Sequence, residues 1–203
     1  MNYALHNKEL DGALYYKKRW NVGNEKSAPL IFTKAESGLL KGGKPFFIPD
    51  WSERVDYEAE LVVRICRLGK GIPVRFAHRY YDAVTVGIDF TARDWQMRAR
   101  DNGMPWDICK GFDGSAAIGE WVELELQDIH FHLDINGKTV QEGFSGDMLY
   151  SVDELIAYIS MFFTLKTGDL LFTGTPAGVG PVHINDHLEG WLEDRKVLNM
   201  RCK

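Results

Sequence analysis

Acidic side chains in the middle of the chain carry the first chemical signal. Glu58 and Glu60 stand two apart in the run Val55-Asp56-Tyr57-Glu58-Ala59-Glu60-Leu61. In a strand they share one face, roughly 7 Å apart along it. Asp56 shares that face, while Val55, Tyr57, Ala59, Leu61, Val63 and Ile65 make an apolar face opposite. Glu and Asp are poor strand formers, and like charges this close repel unless something positive sits among them. Asp89 adds another carboxylate at the end of a second strand-like run, Val84 to Asp89. One reading is a hard divalent cation held by Glu58, Glu60 and Asp89. Three carboxylates with no nearby His or Cys select Mg²⁺, Mn²⁺ or Ca²⁺ and disfavour Zn²⁺. The other is a solvated sheet face, the commoner fate of an E-x-E pair in a strand.

Further polar residues stand at spacings that chemistry can use. Arg93 and Gln96 follow Asp89 closely and are three apart, so on a helix they face the same way. Beside a metal, Arg93 suits a bidentate clamp on a substrate carboxylate; elsewhere it is an ordinary surface charge. Lys110, in Cys109-Lys110-Gly111-Phe112-Asp113, is either a surface lysine or a source of positive charge for a developing oxyanion. The loop Gly174-Thr175-Pro176-Ala177-Gly178-Val179-Gly180 is not a Walker P-loop, because no Gly-Lys-Ser/Thr follows. Its open amides and the Thr173 and Thr175 hydroxyls suit an anion nest, or the glycines serve turn geometry alone. His6 and Glu9 are three apart near the start. On a helical turn Glu9 would orient the imidazole as a base; an H-x-x-E pair at a chain end is commonly surface decoration.

The elements that must position these groups are mostly strands. Leu30 to Phe32 reads as a short strand, and Gly38 to Pro49 as a loop or broken hairpin. Val55 to Ile65 alternates strictly and is expected as one strand. Thr91 is expected to cap a helix from about Ala92 to Asp101, with Asp94 in a weak capping box and Gly103 as the stop. Asn136-Gly137 suits a type I′ turn between two strands. Ser151 and Glu154 form a better capping box, opening a helix with Leu155, Ile156, Ile159 and Phe162 on one face. Leu170 to Thr173 is a strand that leads into the glycine-rich loop. Strands outnumber helices without regular alternation. The expected fold class is mainly β with a few helices (α+β), in a single domain rather than a doubly wound sheet.

Composition limits the function classes. The chain has 203 residues, 45% apolar and 26% charged, with a net charge of −5. That is an ordinary globular composition, and its acidity argues against a general nucleic-acid binder, which needs surplus Lys and Arg. No run approaches the ~18 apolar residues of a membrane span, and the opening residues lack the blocks of a signal peptide. Cys66, Cys109 and Cys202 are scattered and odd in number, which reads as idle thiols in a reducing, cytoplasmic setting.

Taken together, these elements resemble the fumarylacetoacetate hydrolase (FAH) family. The resemblance runs from Asn2 almost to the C-terminus. It is carried by Asn2-Tyr3-Ala4-Leu5-His6 with Glu9, Tyr57-Glu58-Ala59-Glu60-Leu61, and Asp89-Phe90-Thr91-Ala92-Arg93-Asp94-Trp95-Gln96. Lys110-Gly111-Phe112-Asp113, the pair Asn136-Gly137 with Gln141, and Gly168 through Gly180 complete it. The branch it resembles is the short one, containing acylpyruvate hydrolases, oxaloacetate decarboxylases or tautomerases, and hydroxyheptadienedioate isomerases. The resemblance implies a mixed β-roll forming one catalytic domain over residues 1–203, with 1–28 as a lid-like segment, commonly in a homodimer. It implies Glu58, Glu60 and Asp89 as ligands of Mg²⁺, with Mn²⁺ or Ca²⁺ as substitutes. It implies Lys110 as the active-site lysine, His6 and Glu9 as a lid pair, and Arg93, Gln96 and Thr175 as substrate-facing.

The expected activity is metal-dependent hydrolysis of a C–C bond in a 2-oxo acid, an acylpyruvate or fumarylpyruvate, through a metal-stabilised enolate. Hydrolysis needs a water activated by His6, whereas decarboxylation or tautomerisation of oxaloacetate needs the enolate but not the water; isomerisation of hydroxyheptadienedioate is a further alternative. A metal-binding domain without turnover is the alternative outside the enzyme class.

Overall fold

The computed structural model describes residues 2–6 by their backbone, and residues 28–123 and 128–203 in full. In chain order the strands are β1 (Asn2–His6), β2 (Leu30–Lys34), β3 (Leu39–Leu40), β4 (Val55–Tyr57), β5 (Ala59–Ile65), β6 (Tyr81–Asp89), β7 (Thr91–Ala92) and β8 (Ala116–Ile118). They continue as β9 (His130–Ile135), β10 (Lys138–Phe144), β11 (Leu170–Phe172), β12 (Gly180–Pro181), β13 (His187–Leu192) and β14 (Arg195–Arg201). The α-helices are α1 (Val74–Ala77), α2 (Arg93–Asn102), α3 (Asp107–Lys110) and α4 (Val152–Phe162).

Among the described residues these strands form three sheets: β2-β1-β11-β5-β6-β8-β3, β10-β9-β13-β14 and β12-β4-β7. β1 pairs parallel with β11, and β3 pairs parallel with β8. The first sheet cannot be flat. Its edge strands would then lie roughly 29 Å apart at ~4.8 Å per strand spacing. Yet β2 ends at Lys34 and β3 begins at Leu39, and so short a link spans at most about 18 Å. The two edges must curl toward each other, which makes the sheet a roll. The mainly β expectation holds.

Both faces of this sheet are buried. Leu61, Val63, Ile65, Val84, Val86 and Ile88 belong to the main core with Leu133, Leu188 and the helix residues Leu155, Ile156 and Ile159. The opposite face carries a smaller cluster of Val62, Ala116, Ile118, Leu170 and Phe172. Two of the local signals read from the sequence are present as expected. Asn136 and Gly137 have φ of 54° and 77° between β9 and β10, as a type I′ turn requires. The Ser151 side chain accepts the Glu154 amide, and the Glu154 carboxylate returns to the Ser151 amide.

Three expectations need correction. Val55 to Ile65 is two strands, not one. β4 pairs with β7 and β12, whereas β5 pairs with β6 and β11, so the chain changes sheets at Glu58. Gly38 to Pro49, expected as a loop or broken hairpin, contains β3, which pairs parallel with the distant β8, and Phe46 bridges Cys202. Thr91 does not cap α2. The helix follows Ala92 with no side-chain cap, because the Thr91 hydroxyl is taken by Lys110 Nζ at 2.6 Å. The stop at Gly103 is as expected, in the left-handed conformation.

Candidate active site

Strand register builds the acidic cluster. In the β5–β6 ladder Ala59 faces Ile88 and Glu60 faces Gly87. One step further out, the Asp89 amide donates to the Glu58 carbonyl at 2.8 Å. Glu58 and Asp89 are therefore cross-strand neighbours, and Glu60 lies two residues along the same face. Gly87, the ladder partner of Glu60, has no room for a side chain. A Cβ there would lie 2.6 Å from Val62 Cγ2 and 2.8 Å from the Ala117 carbonyl oxygen. One oxygen from each of Glu58, Glu60 and Asp89 falls within 4.8 Å of the others. All three residues are at most 1% exposed. The solvated-face alternative is thereby excluded.

Basic side chains surround this cluster unevenly. Lys110, fully buried at the end of α3, donates to Glu58 Oε2 at 2.9 Å, Asp89 Oδ2 at 2.6 Å and Thr91 Oγ1 at 2.6 Å. Burial works against its charge, but Asp89 and Glu58 outweigh burial and hold its pKa above the ordinary lysine value. Arg93, at the first turn of α2, donates from Nε to Asp56 Oδ2 at 2.7 Å, from Nη2 to Glu58 Oε1 at 2.6 Å, and from Nη1 to Gln96 Oε1. Asp56, outside this acidic cluster, is shared between Arg93 and Arg54. Glu60 differs: among the described residues it accepts the Gly174 amide at 2.6 Å and pairs with no lysine or arginine. Burial, with the charges of Asp89 and Glu58, pushes its pKa well above the ordinary carboxylate value.

The glycine-rich loop tracks along β5 instead of standing open. The Thr173 and Thr175 hydroxyls donate to the Leu61 and Ala59 carbonyls at 3.0 and 2.8 Å. Gln141 Nε2 donates to Thr175 Oγ1 at 2.9 Å and to the Pro176 carbonyl at 3.0 Å. Its Oε1 accepts the Ala59 amide, between the two glutamates, at 2.8 Å. A cavity of about 440 Å³ begins at Thr173, Gly174 and Thr175 and extends past His130, His132 and Glu142.

The structure thus gathers Glu58, Glu60, Asp89, Lys110, Arg93, Gln96 and Thr175 around one buried region. The His6 backbone closes β1 opposite Leu30, and Glu9 lies outside the described residues. Lys34 is the site residue that sequence reasoning missed. It is fully buried at the end of β2, with Nζ 2.7 Å from Asp89 Oδ1. A lysine closing a short apolar run reads as a solvated strand end, since buried lysines are rare, so no pattern flagged it. The cysteines are free thiols, and burial pushes Cys109 and Cys202 up to about 11 and about 12, which leaves them unreactive.

The donor set fits a hard divalent cation. It offers three convergent carboxylate oxygens without sulfur or imidazole, and one of the three carboxylates lacks a basic partner among the described residues. Comparison with known proteins agrees with this chemistry. The family model for the fumarylacetoacetate (FAA) hydrolase C-terminal region matches residues 1–203. The chain belongs to the fumarylacetoacetate hydrolase family. The mitochondrial oxaloacetate tautomerase of Mus musculus is 34% identical over 206 residues, covering 100% of this chain and 87% of that protein. The crystal structure of fumarylpyruvate hydrolase from Pseudomonas aeruginosa, in complex with Mn²⁺ and pyruvate, superposes with a TM-score of 0.87 at 30% identity. It covers 98% of this chain and 88% of that one. The 5-carboxymethyl-2-hydroxymuconate delta-isomerase of Mycobacterium smegmatis gives a TM-score of 0.84 at 26% identity over 98% of this chain and 77% of that one. These relatives are enzymes, and they span hydrolysis, tautomerisation and isomerisation.

Proposed function

We propose that the protein is a divalent-metal-dependent hydrolase that cleaves a C–C bond in a 2-oxo acid of the acylpyruvate or fumarylpyruvate type. The observation that carries the reading is the buried convergence of Glu58, Glu60 and Asp89. These three would hold the cation, with Mg²⁺ or Mn²⁺ as the working ions. A bound cation supplies Lewis acidity to the oxygens of a 2-oxo acid and so favours loss of the adjacent carbon substituent as its bonding electrons move inward. Among the described residues, Arg93 keeps two of its five N–H groups beyond those it gives to Asp56, Glu58 and Gln96. Those two face a substrate carboxylate in this scheme, with Gln96 and Thr175 as its polar neighbours. Lys110 moves one of its three hydrogen bonds from the acidic cluster to the carbonyl that gains charge. His6, oriented by Glu9, takes the proton of the water that adds to the acyl carbon and returns it to the departing carbon, so that a carboxylic acid and pyruvate result.

The second reading is tautomerisation or decarboxylation of oxaloacetate. It is supported by the full-length similarity to the mouse tautomerase, and it needs no attacking water, although tautomerisation still needs a group that carries the proton between the carbon and the keto oxygen. We also propose a homodimer working in a reducing compartment, the cytoplasm, in keeping with the three free thiols.

The test is a panel of acylpyruvates, fumarylpyruvate, oxaloacetate and hydroxyheptadienedioate, run with Mg²⁺ and with Mn²⁺, with products identified. Cleavage to pyruvate and a carboxylic acid supports the hydrolase, and keto–enol exchange alone supports the tautomerase. His6→Ala is expected mainly to suppress hydrolysis. Turnover that survives complete metal removal would refute both readings.

A further inference from the structure

Lys34 has more partners than charge balance requires. Its ammonium is fully buried, which is prohibitive without compensation. The Asp89 carboxylate, 2.7 Å away, supplies the counter-charge. Yet Nζ also donates to Ser115 Oγ at 3.0 Å, to the Ser115 carbonyl at 3.1 Å, and to the Lys110 carbonyl. Ser115 Oγ in turn donates to that same Lys110 carbonyl at 2.9 Å. One ammonium therefore joins the last residue of β2, the last residue of β6 and both ends of the Lys110–Ser115 turn.

This junction sits where the roll closes. β2 is one edge of the curled sheet, and the Lys110–Ser115 turn leads into β8, beside the other edge. Asp89 is divided by it: Oδ1 meets Lys34 and Oδ2 meets Lys110 Nζ. The backbone of Lys110 is held by Lys34 while its side chain reaches across to Glu58 and Asp89.

We propose that Lys34 is a positioning residue of the metal centre. It sets the rotation of the Asp89 carboxylate and, through the Lys110 carbonyl, the placement of the Lys110 ammonium. The inference rests on the reading of Glu58, Glu60 and Asp89 as the cation site. It makes a prediction opposite in sign to simple electrostatics. Deleting a nearby positive charge, if charge were all that mattered, would tighten cation binding. Deleting a group that orients a ligand weakens it.

The experiment titrates Mn²⁺ into metal-free wild type, Lys34→Met and Ser115→Ala by calorimetry, with thermal unfolding of each variant measured alongside. Wild type is expected to bind. Lys34→Met is expected to bind roughly tenfold or more weakly, the usual cost of losing a group that orients a ligand. Ser115→Ala keeps the ion pair to Asp89 but loosens the turn, and is expected to weaken binding by a smaller factor. Unchanged or tighter binding in Lys34→Met overturns the inference, even if its unfolding temperature drops, because the role would then be structural or electrostatic only. If Lys34→Met does not fold, unaltered affinity in Ser115→Ala overturns it. Failure of wild type to bind Mn²⁺ is a different result: it removes the site reading and this inference with it.

Discussion

Replacing Gln141 by Leu separates the scaffold of the site from its chemistry. The side chain is 2% exposed and holds three strong contacts: the Ala59 amide, the Thr175 hydroxyl and the Pro176 carbonyl. Leucine has a similar volume, so the cavity contribution is small. Three hydrogen bonds at ~1 kcal/mol net each give about 3 kcal/mol, and stranding the buried Ala59 N–H adds ~1–2 kcal/mol. The expected loss is about 4 kcal/mol, or most of the stability of a marginal domain. Urea unfolding should show the midpoint falling with the slope unchanged. Because Ala59 lies between Glu58 and Glu60, Mn²⁺ affinity should also weaken, by ~10-fold. A loss under about 1 kcal/mol with wild-type Mn²⁺ affinity would refute the claim that this hairpin side chain braces the acidic strand.

Other outcomes follow from the same contacts. The raised pKa of Glu60 means that the folded, metal-free protein keeps a proton that the unfolded chain releases above its ordinary 4.5. Its stability contribution therefore falls as pH rises above 4.5. Metal binding displaces that proton, so the unfolding-temperature gain from Mn²⁺ should be larger at about pH 8 than at about pH 5.5, and a gain independent of pH contradicts this. Gly87→Ala should cost ~1–3 kcal/mol by overpacking beside Glu60, against Val62 and the Ala117 carbonyl, as read by urea unfolding. Ser151→Ala should cost about 1 kcal/mol through loss of the α4 cap and leave Mn²⁺ binding intact.

Local signals in the sequence were legible where the physics is local. A turn needing two positive φ angles selects Asn136-Gly137, and a reciprocal cap selects Ser151 and Glu154. The pairing of Glu58 and Glu60 on one face was also readable, because strand alternation alone requires it. What escaped depends on distant segments. Thr91 looks like a cap until Lys110, brought from another helix, claims its hydroxyl. The break at Glu58 follows from two sets of strand partners that no alternation pattern encodes. Arg93 looks like a free clamp until Asp56 and Glu58 are folded against it. Lys34 looks like a solvated strand end until the curl of the sheet carries it to Asp89 and Ser115.

The central claim is that three carboxylates on adjacent strands hold one divalent ion. Calorimetric titration of the metal-free protein with Mn²⁺, beside Glu58→Gln and Asp89→Asn, tests it most directly. A single saturable site in wild type, lost in both variants, is the predicted result. Equal binding in all three proteins, or none in wild type, would contradict it.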